Sequence, residues 1–243
     1  MTPQELYRNG RLREAITALG EELRKNPLDA KRRTFLFELL LFAGEYDRAE
    51  KQLDVLSGAG ADAAAGTLLY RSALYAERTR QDMFSRNQTP ALAARDQAAG
   101  VCDGLPFHDF QDSDPRIGAN LEVYMAGSYT WIPVAYLRKV EIEPPSNLRD
   151  LMWARARVET TPEFRLQELG EVLIPALCPL SSGHTDENVR LGRETAWEED
   201  PTHEAVPFGA KVMLVDGADI PLLSIRRVEW LPTLKESPDA PAR

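Results

Sequence analysis

The sequence predicts an α+β fold, with an N-terminal helical region followed by a β-rich, partly barrel-like C-terminal domain. The change of apolar period carries this, and an uneven charge, which bears on partners and solubility and not on fold, accompanies it. The apolar period changes near residue 110, from every third or fourth residue to every second. Charge divides in the same region: residues 1–90 hold 14 Lys and Arg against 13 Asp and Glu, residues 91–243 hold 15 against 25, and the whole chain has a net charge of -9. A length of 243 residues accommodates two such units with packed cores. The boundaries read as a helical region at 1–90, a linker at 91–110, a β-rich domain at 111–234 and a disordered tail at 235–243.

The helical elements follow from spacing. Leu12, Ile16, Leu19 and Leu23 share one helix face, and Asn26-Pro27 ends it because a residue before proline is pushed out of the α region. Phe35, Leu36, Leu39, Leu40 and Phe42 form a second apolar face, stopped at Gly44. Tyr46, Ala49, Leu53 and Leu56 line a third helix. Leu68, Leu69, Leu74 and Tyr75 begin a fourth that runs to about Phe84. Gly10-Arg-Leu12-Arg-Glu-Ala15 repeats as Gly44-Glu-Tyr46-Asp-Arg-Ala49, 34 residues on, and Leu19 repeats as Leu53. This is a tetratricopeptide (TPR)-like spacing. The glycine permits the tight turn, the next large residue packs beneath it, and the alanine lets neighbouring helices approach closely. Fewer than two repeats are visible, so the helices need another domain to lean on.

Ala91–Ala99 reads as a possible short helix, broken by Gly100, Gly104 and Pro106. Leu121–Met125 then reads as a strand, Ala126-Gly127-Ser128 as a turn and Tyr129–Val134 as the return arm. Val140–Glu143 alternates before Pro144-Pro145. Ala154–Thr160, Glu171–Ala176, Ala210–Val215 and Ser224–Trp230 are further strands, with Asp216-Gly217 as a hairpin turn.

Composition narrows the function. No run approaches the roughly 18 apolar residues of a membrane helix, and the first residues lack the apolar core of a secretory signal. The chain therefore reads as cytoplasmic. An acidic C-terminal half disfavours nucleic acid, whose backbone needs clustered Lys and Arg. Cys102 and Cys178 fit neither a disulfide framework nor a zinc motif. His108, His184 and His203 are scattered, and no glycine-rich phosphate loop, Gly-x-Ser-x-Gly elbow or His-Glu-x-x-His helix occurs. No cofactor is expected.

Several blocks are more specific. Asp112-Ser-Asp-Pro-Arg116-Ile-Gly118, Leu121-Glu122, Gly127-Ser-Tyr129-Thr-Trp131-Ile-Pro133, Pro144–Trp153 and Arg190–Trp197 occur in order. Upstream stand Phe35–Gly44 and Arg48–Leu53. Together they resemble the ImpE/TagJ family over roughly residues 5–84 and 110–200. The chain departs from the usual pattern in one respect, since residues 85–109 are too short for the additional helical pair that family members usually carry there. The resemblance implies a non-catalytic accessory protein of the type VI secretion contractile sheath. Its implied partners are the small sheath subunit (TssB type) and the sheath-recycling AAA+ ATPase (ClpV type).

Candidate partner-binding residues are Trp131, Trp153, Trp197 and Tyr129, because Trp and Tyr anchor interfaces disproportionately; at strand positions they equally serve as core. Arg116, Arg149 and Arg193 are candidates for holding the surrounding loops through carboxylate pairs. The alternative readings are a metal-assisted hydrolase using Asp112, Asp114 and His184, and a generic TPR peptide-binding module. Asp112 and Asp114 also suit backbone capping or pairing with Arg116.

Overall fold

A computed structural model describes residues 1–58, 61–91, 99–164 and 168–231. The chain starts with five helices: α1 (Pro3–Arg8), α2 (Leu12–Lys25), α3 (Ala30–Phe42), α4 (Tyr46–Ser57) and α5 (Ala61–Ser85). The short α1, which spacing alone does not disclose, is held by a reciprocal capping box between Thr2 and Glu5 with Pro3 at its first turn. Helix α2 buries Leu12, Ala15, Ile16, Leu19 and Leu23, the face its period predicts. Helix α3, capped by Asp29, buries every residue from Leu36 to Phe42. A helix apolar on all sides belongs at the centre of a bundle, and α3 packs between α2 and α4. The repeat alanines, Ala15 and Ala49, are fully buried.

The C-terminal part holds thirteen strands among the described residues. One antiparallel sheet has eight: β1 (Gly100–Cys102), β2 (Leu105–Phe107), β4 (Asn120–Met125), β5 (Ser128–Pro133), β6 (Leu137–Ile142), β7 (Trp153–Thr160), β8 (Glu168–Pro175) and β13 (Arg227–Trp230). Their order is β2-β1-β13-β6-β7-β8-β4-β5. A second sheet, β12-β11-β3, joins β3 (Phe110–Asp112), β11 (Val212–Val215) and β12 (Ala218–Pro221). A ribbon pairs β9 (Thr195–Glu199) with β10 (Ala205–Gly209).

The eight-stranded sheet stays open, ending in β2 on one side and β5 on the other, so the barrel-like expectation gives way to two sheets over one core. That core takes Val140, Val158 and Ile174 from the large sheet and Phe110, Met213 and Val215 from the small one. Residues 91–110, expected as a linker, contain β1, β2 and the start of β3. These strands have three residues each, too few to display a period. Asp103-Gly104, Ala126-Gly127 and Asp216-Gly217 each place two residues at positive φ between paired strands, as two-residue hairpin turns require. The expected helix at Ala91–Ala99 falls largely, and the expected tail entirely, outside the described residues.

The helices do not close their own core. It continues through Tyr124, Met152, Trp153, Leu177 and Leu191 of the β-rich part. Gly10 and Gly44, at φ +75° and +71°, mark where the turns meet that part. A Cβ on Gly10 would lie 2.4 Å from Asn188 Oδ1, and one on Gly44 2.6 Å from Ser182 Oγ. The repeat glycines thus give the turn its shape and also make room for the docked loops.

Candidate functional site: a buried ionic junction and the surface around it

Helix α5 presents Glu77 and Arg80 to the β-rich part, one turn apart on a face otherwise made of Ala73, Leu74, Ala76 and Phe84. Arg80, 1% exposed, meets Glu122 of β4 in a two-point contact, with Nε to Oε1 at 2.7 Å and Nη2 to Oε2 at 2.9 Å. Its Nη2 also donates to the Leu177 carbonyl at 3.0 Å. Lys211, on the connection into β11, donates to Glu122 Oε2 at 2.6 Å and to the Asp112 carboxylate. Asp112 Oδ1 accepts the Asp114 amide at 2.9 Å, and Asp114 pairs with Arg116, Nη2 to Oδ2 at 2.7 Å. The guanidinium of Arg116 lies 5.1 Å from the centre of the Phe84 ring.

The aromatic residues are stitched to this chain. Tyr129 donates to Glu122, and Trp131 Nε1 donates to the Tyr129 hydroxyl. Tyr124 and Trp153 both donate to Glu77 Oε2, the latter at 3.0 Å. The remaining oxygen of Glu77 accepts from Gln81, whose own Oε1 accepts the Leu180 amide at 2.9 Å.

Charge placement sets the proton affinities. Burial raises the Glu122 carboxyl, but Arg80 and Lys211 outweigh it and hold it at about 2. Burial pushes Asp112 up to about 6, an effect that Lys211 offsets only in part while Glu122 and Asp114 add repulsion. Burial lowers Lys211, yet the two carboxylates beside it more than compensate and raise it. Each charge at the junction thus faces an opposite one, and the pairs of Glu122 with Arg80 and Lys211 and of Asp112 with Lys211 join different elements, the condition for keeping ions out of water.

The predicted candidates separate here. Trp153 is 2% exposed and lies in the core shared by helices and sheet, which corrects its candidacy as a surface anchor: its ring fills the helical core and its N–H is taken by Glu77. Tyr129 and Trp131 are half-buried, with their polar tips turned to the junction. Trp197 is 49% exposed. Arg116 and Arg149 make carboxylate pairs, Arg149 reaching Glu38 of α3 at 3.4 Å and lying 4.7 Å from the Tyr70 ring. Arg193 departs from the expected carboxylate pairing. It donates to the carbonyls of Tyr7 and Arg8, where α1 has spent its hydrogen-bonding turns.

Asp112, Asp114 and His184 are not brought together as ligands. The two carboxylates are engaged by Lys211 and Arg116, while His184 accepts the Asp186 amide at Nδ1 and meets Glu198 at Nε2, 3.1 Å away. Among the described residues no three His, Cys, Asp or Glu side chains form a group suited to a metal ion. Cys178, fully buried with its thiol pushed up to about 12 by burial, sits where a small apolar side chain fits.

Glu77, Arg80, Glu122 and Lys211 escaped sequence reasoning as a set. A lone charge among apolar neighbours marks only two of them, Glu122 between Leu121 and Val123 and Lys211 between Ala210 and Val212, while Glu77 and Arg80 stand in the polar run Glu77–Asp82 and carry no such mark.

Depressions on the surface lie where helices meet the β-rich part. One, of about 220 Å³, runs between α5 and the sheet, lined by Leu69, Ala73, Tyr124, Gly127, Val172 and Leu173 with Glu143, Arg155 and Glu171 at its rim. Another, of about 450 Å³, lies between α1, α3 and residues 145–151. Leu68, Leu69 and Tyr75 leave more than half of their surface exposed on α5. No helix among the described residues is long and apolar enough to cross a membrane.

A helical repeat locked by buried ions onto an open antiparallel sheet defines a TPR-containing α+β protein. Residues 6–71 match the tetratricopeptide repeat model, and residues 104–229 match the model of the ImpE protein family. The chain is 31% identical to the type VI secretion system accessory component TagJ of Pseudomonas aeruginosa, across 96% of this chain and 92% of that protein. It belongs to the ImpE family. The crystal structure of a Vibrio parahaemolyticus protein shares its fold, with a TM-score of 0.83 at 21% identity, covering 96% of this chain and 98% of that one.

Proposed function

We propose that this chain is a non-catalytic adaptor of the type VI contractile sheath that binds the small sheath subunit and links it to the sheath-recycling ATPase. The observation that carries this reading is kinship with TagJ, an accessory component of that system, along nearly the whole length of both chains. The junction chemistry agrees with it. Its carboxylates and cations are spent on one another, which suits a rigid mount for two modules better than a reacting centre. The proposed seat for an apolar segment of the sheath subunit is the groove between α5 and the sheet, where Leu69 is exposed above an apolar floor. Trp197 remains a second candidate anchor.

Affinity capture of the purified small sheath subunit, and of the ATPase with and without it, tests the reading. The expected result is capture of the sheath subunit by the wild type and at least tenfold weaker capture by Leu69→Glu of unchanged thermal stability. Failure of the wild type to capture the sheath subunit overturns it.

A further inference from the structure

The ribbon of β9 and β10 has one open edge and one closed edge. Ala210 N donates to Glu194 O at 3.0 Å, so that pair is hydrogen-bonded within the ribbon. In an antiparallel ladder such pairs alternate. With the register Trp197 to Pro207, the pairs Ala196–Phe208 and Glu198–Val206 are therefore the bonded ones. The backbone groups of Thr195, Trp197 and Glu199 then point away from β10. The outer edge of β10 is closed: Pro207 has no N–H, Gly209 N donates to Ser181 Oγ at 2.7 Å, and Gly209 O accepts from Cys178 N at 2.8 Å. The outer edge of β9 pairs with no strand among the described residues.

The chemistry around that edge is one-sided. Residues 194–204 carry Glu194, Glu198, Glu199, Asp200 and Glu204 and no Lys or Arg. His184 faces Glu198 and His203 faces Asp200, while Glu194, Glu199 and Glu204 are exposed and have no ion-pair partner among the described residues. In the middle of the edge stands Trp197, 49% exposed. Unpaired backbone gives affinity for an extended chain, acidic flanks select its charge, and an exposed indole receives an alkyl stem or a cation. A second copy of this chain is disfavoured as the occupant, because it would bring the same five carboxylates to the contact.

We propose that the outer edge of β9 docks an extended, basic peptide segment, which joins the ribbon as a third strand with Lys or Arg over Trp197 and beside Glu198 and Glu199. The proposal goes beyond the sheath reading and rests on it only for the partner's identity.

The test uses the full chain and a fluorescein-labelled octapeptide alternating Lys and Val, followed by anisotropy. Expected is saturable binding that weakens at least tenfold in Glu199→Pro, which removes one outward N–H without touching a ribbon bond, and at least threefold in Trp197→Ala. Methylating alternate peptide nitrogens along one edge is expected to abolish binding whatever the variants do, so the proposal stays testable if a variant misfolds. Absence of binding overturns the proposal, as does equal binding by the N-methylated peptide, which would reduce the contact to charge alone. A wild-type dimer in sedimentation that Glu199→Pro dissolves also overturns it. Peptide binding with no capture of the sheath subunit refutes the sheath reading and leaves the ribbon edge standing; sheath capture with no peptide binding does the reverse.

Discussion

At the residue scale, Glu122 is the position on which the junction turns, since it alone meets both Arg80 and Lys211 and also accepts from Tyr129. Glu122→Gln leaves two buried cations short of a counter-charge, and a loss of about 3–5 kcal/mol is expected on urea denaturation at neutral pH. The pH dependence has a definite sign. The folded-state value of about 2 lies below the ordinary 4.5, so this stabilisation is complete above about 4.5 and is lost as pH falls toward 2. Asp112 acts oppositely: raised from 3.8 to about 6, it favours folding below about 3.8 and withdraws that contribution as pH rises through 6. Stability measured from pH 7 downward should hold or rise slightly to about 4.5 and then fall. In Glu122→Gln the fall below 4.5 should be shallower, and an unaltered acid limb would remove Glu122 as its source. Two tryptophans give a sharp contrast. Trp153→Ala empties a core position and leaves Glu77 Oε2 with Tyr124 as its remaining donor, with an expected loss of about 3–5 kcal/mol, whereas Trp197→Ala should stay within about 0.5 kcal/mol of wild type.

At the element scale, the repeat alanine and the repeat glycine test different contacts. Ala49 is fully buried where α4 packs on its neighbours, so Ala49→Leu is expected to overpack and cost about 1–3 kcal/mol. Chemical denaturation with no change would contradict the close helix approach. Gly44→Ala combines a left-handed backbone, with a cost of about 1–2 kcal/mol, with a Cβ placed 2.6 Å from Ser182 Oγ. Adding Ser182→Gly should relieve the collision and leave the backbone cost. Full recovery in the double variant would show that the backbone there is unstrained. The strands were legible where they were long enough to alternate. Trp153–Thr160 shows burial at every second residue along most of its length, and the Asp216-Gly217 turn falls where its sequence places it. The three-residue strands β1, β2 and β3 were not legible, because their identity comes from the partners they meet: β13 for β1, β1 for β2 and β11 for β3.

At the scale of the whole molecule, the helical region and the sheets share one apolar continuum and one ionic network. A fragment of residues 1–90 exposes the faces that Trp153, Met152, Tyr124 and Leu177 cover, and leaves Arg80 with Glu77, 3.7 Å away, in place of its two-point contact with Glu122. It is expected to melt without a cooperative transition, while the full chain unfolds in one. Circular dichroism and calorimetry on the two samples check this; a cooperative fragment would mean that the helices fold independently.

The sequence by itself determined the order of the elements, helices and then strands, because burying one face imposes a period that composition must obey. It also determined the tight turns, where few residues accept positive φ, and the kinship, because ordered blocks of residues survive in linear form. Tertiary structure alone decided which of the aromatics are core and which are surface. Trp153 and Trp197 both sit on strands, and nothing local distinguishes a face covered by α5 from one left to water. Tertiary structure also decided that Arg80, Glu122, Lys211 and Asp112 form one network: they are separated by up to 131 positions in the chain, and attraction between charges depends on distance in space.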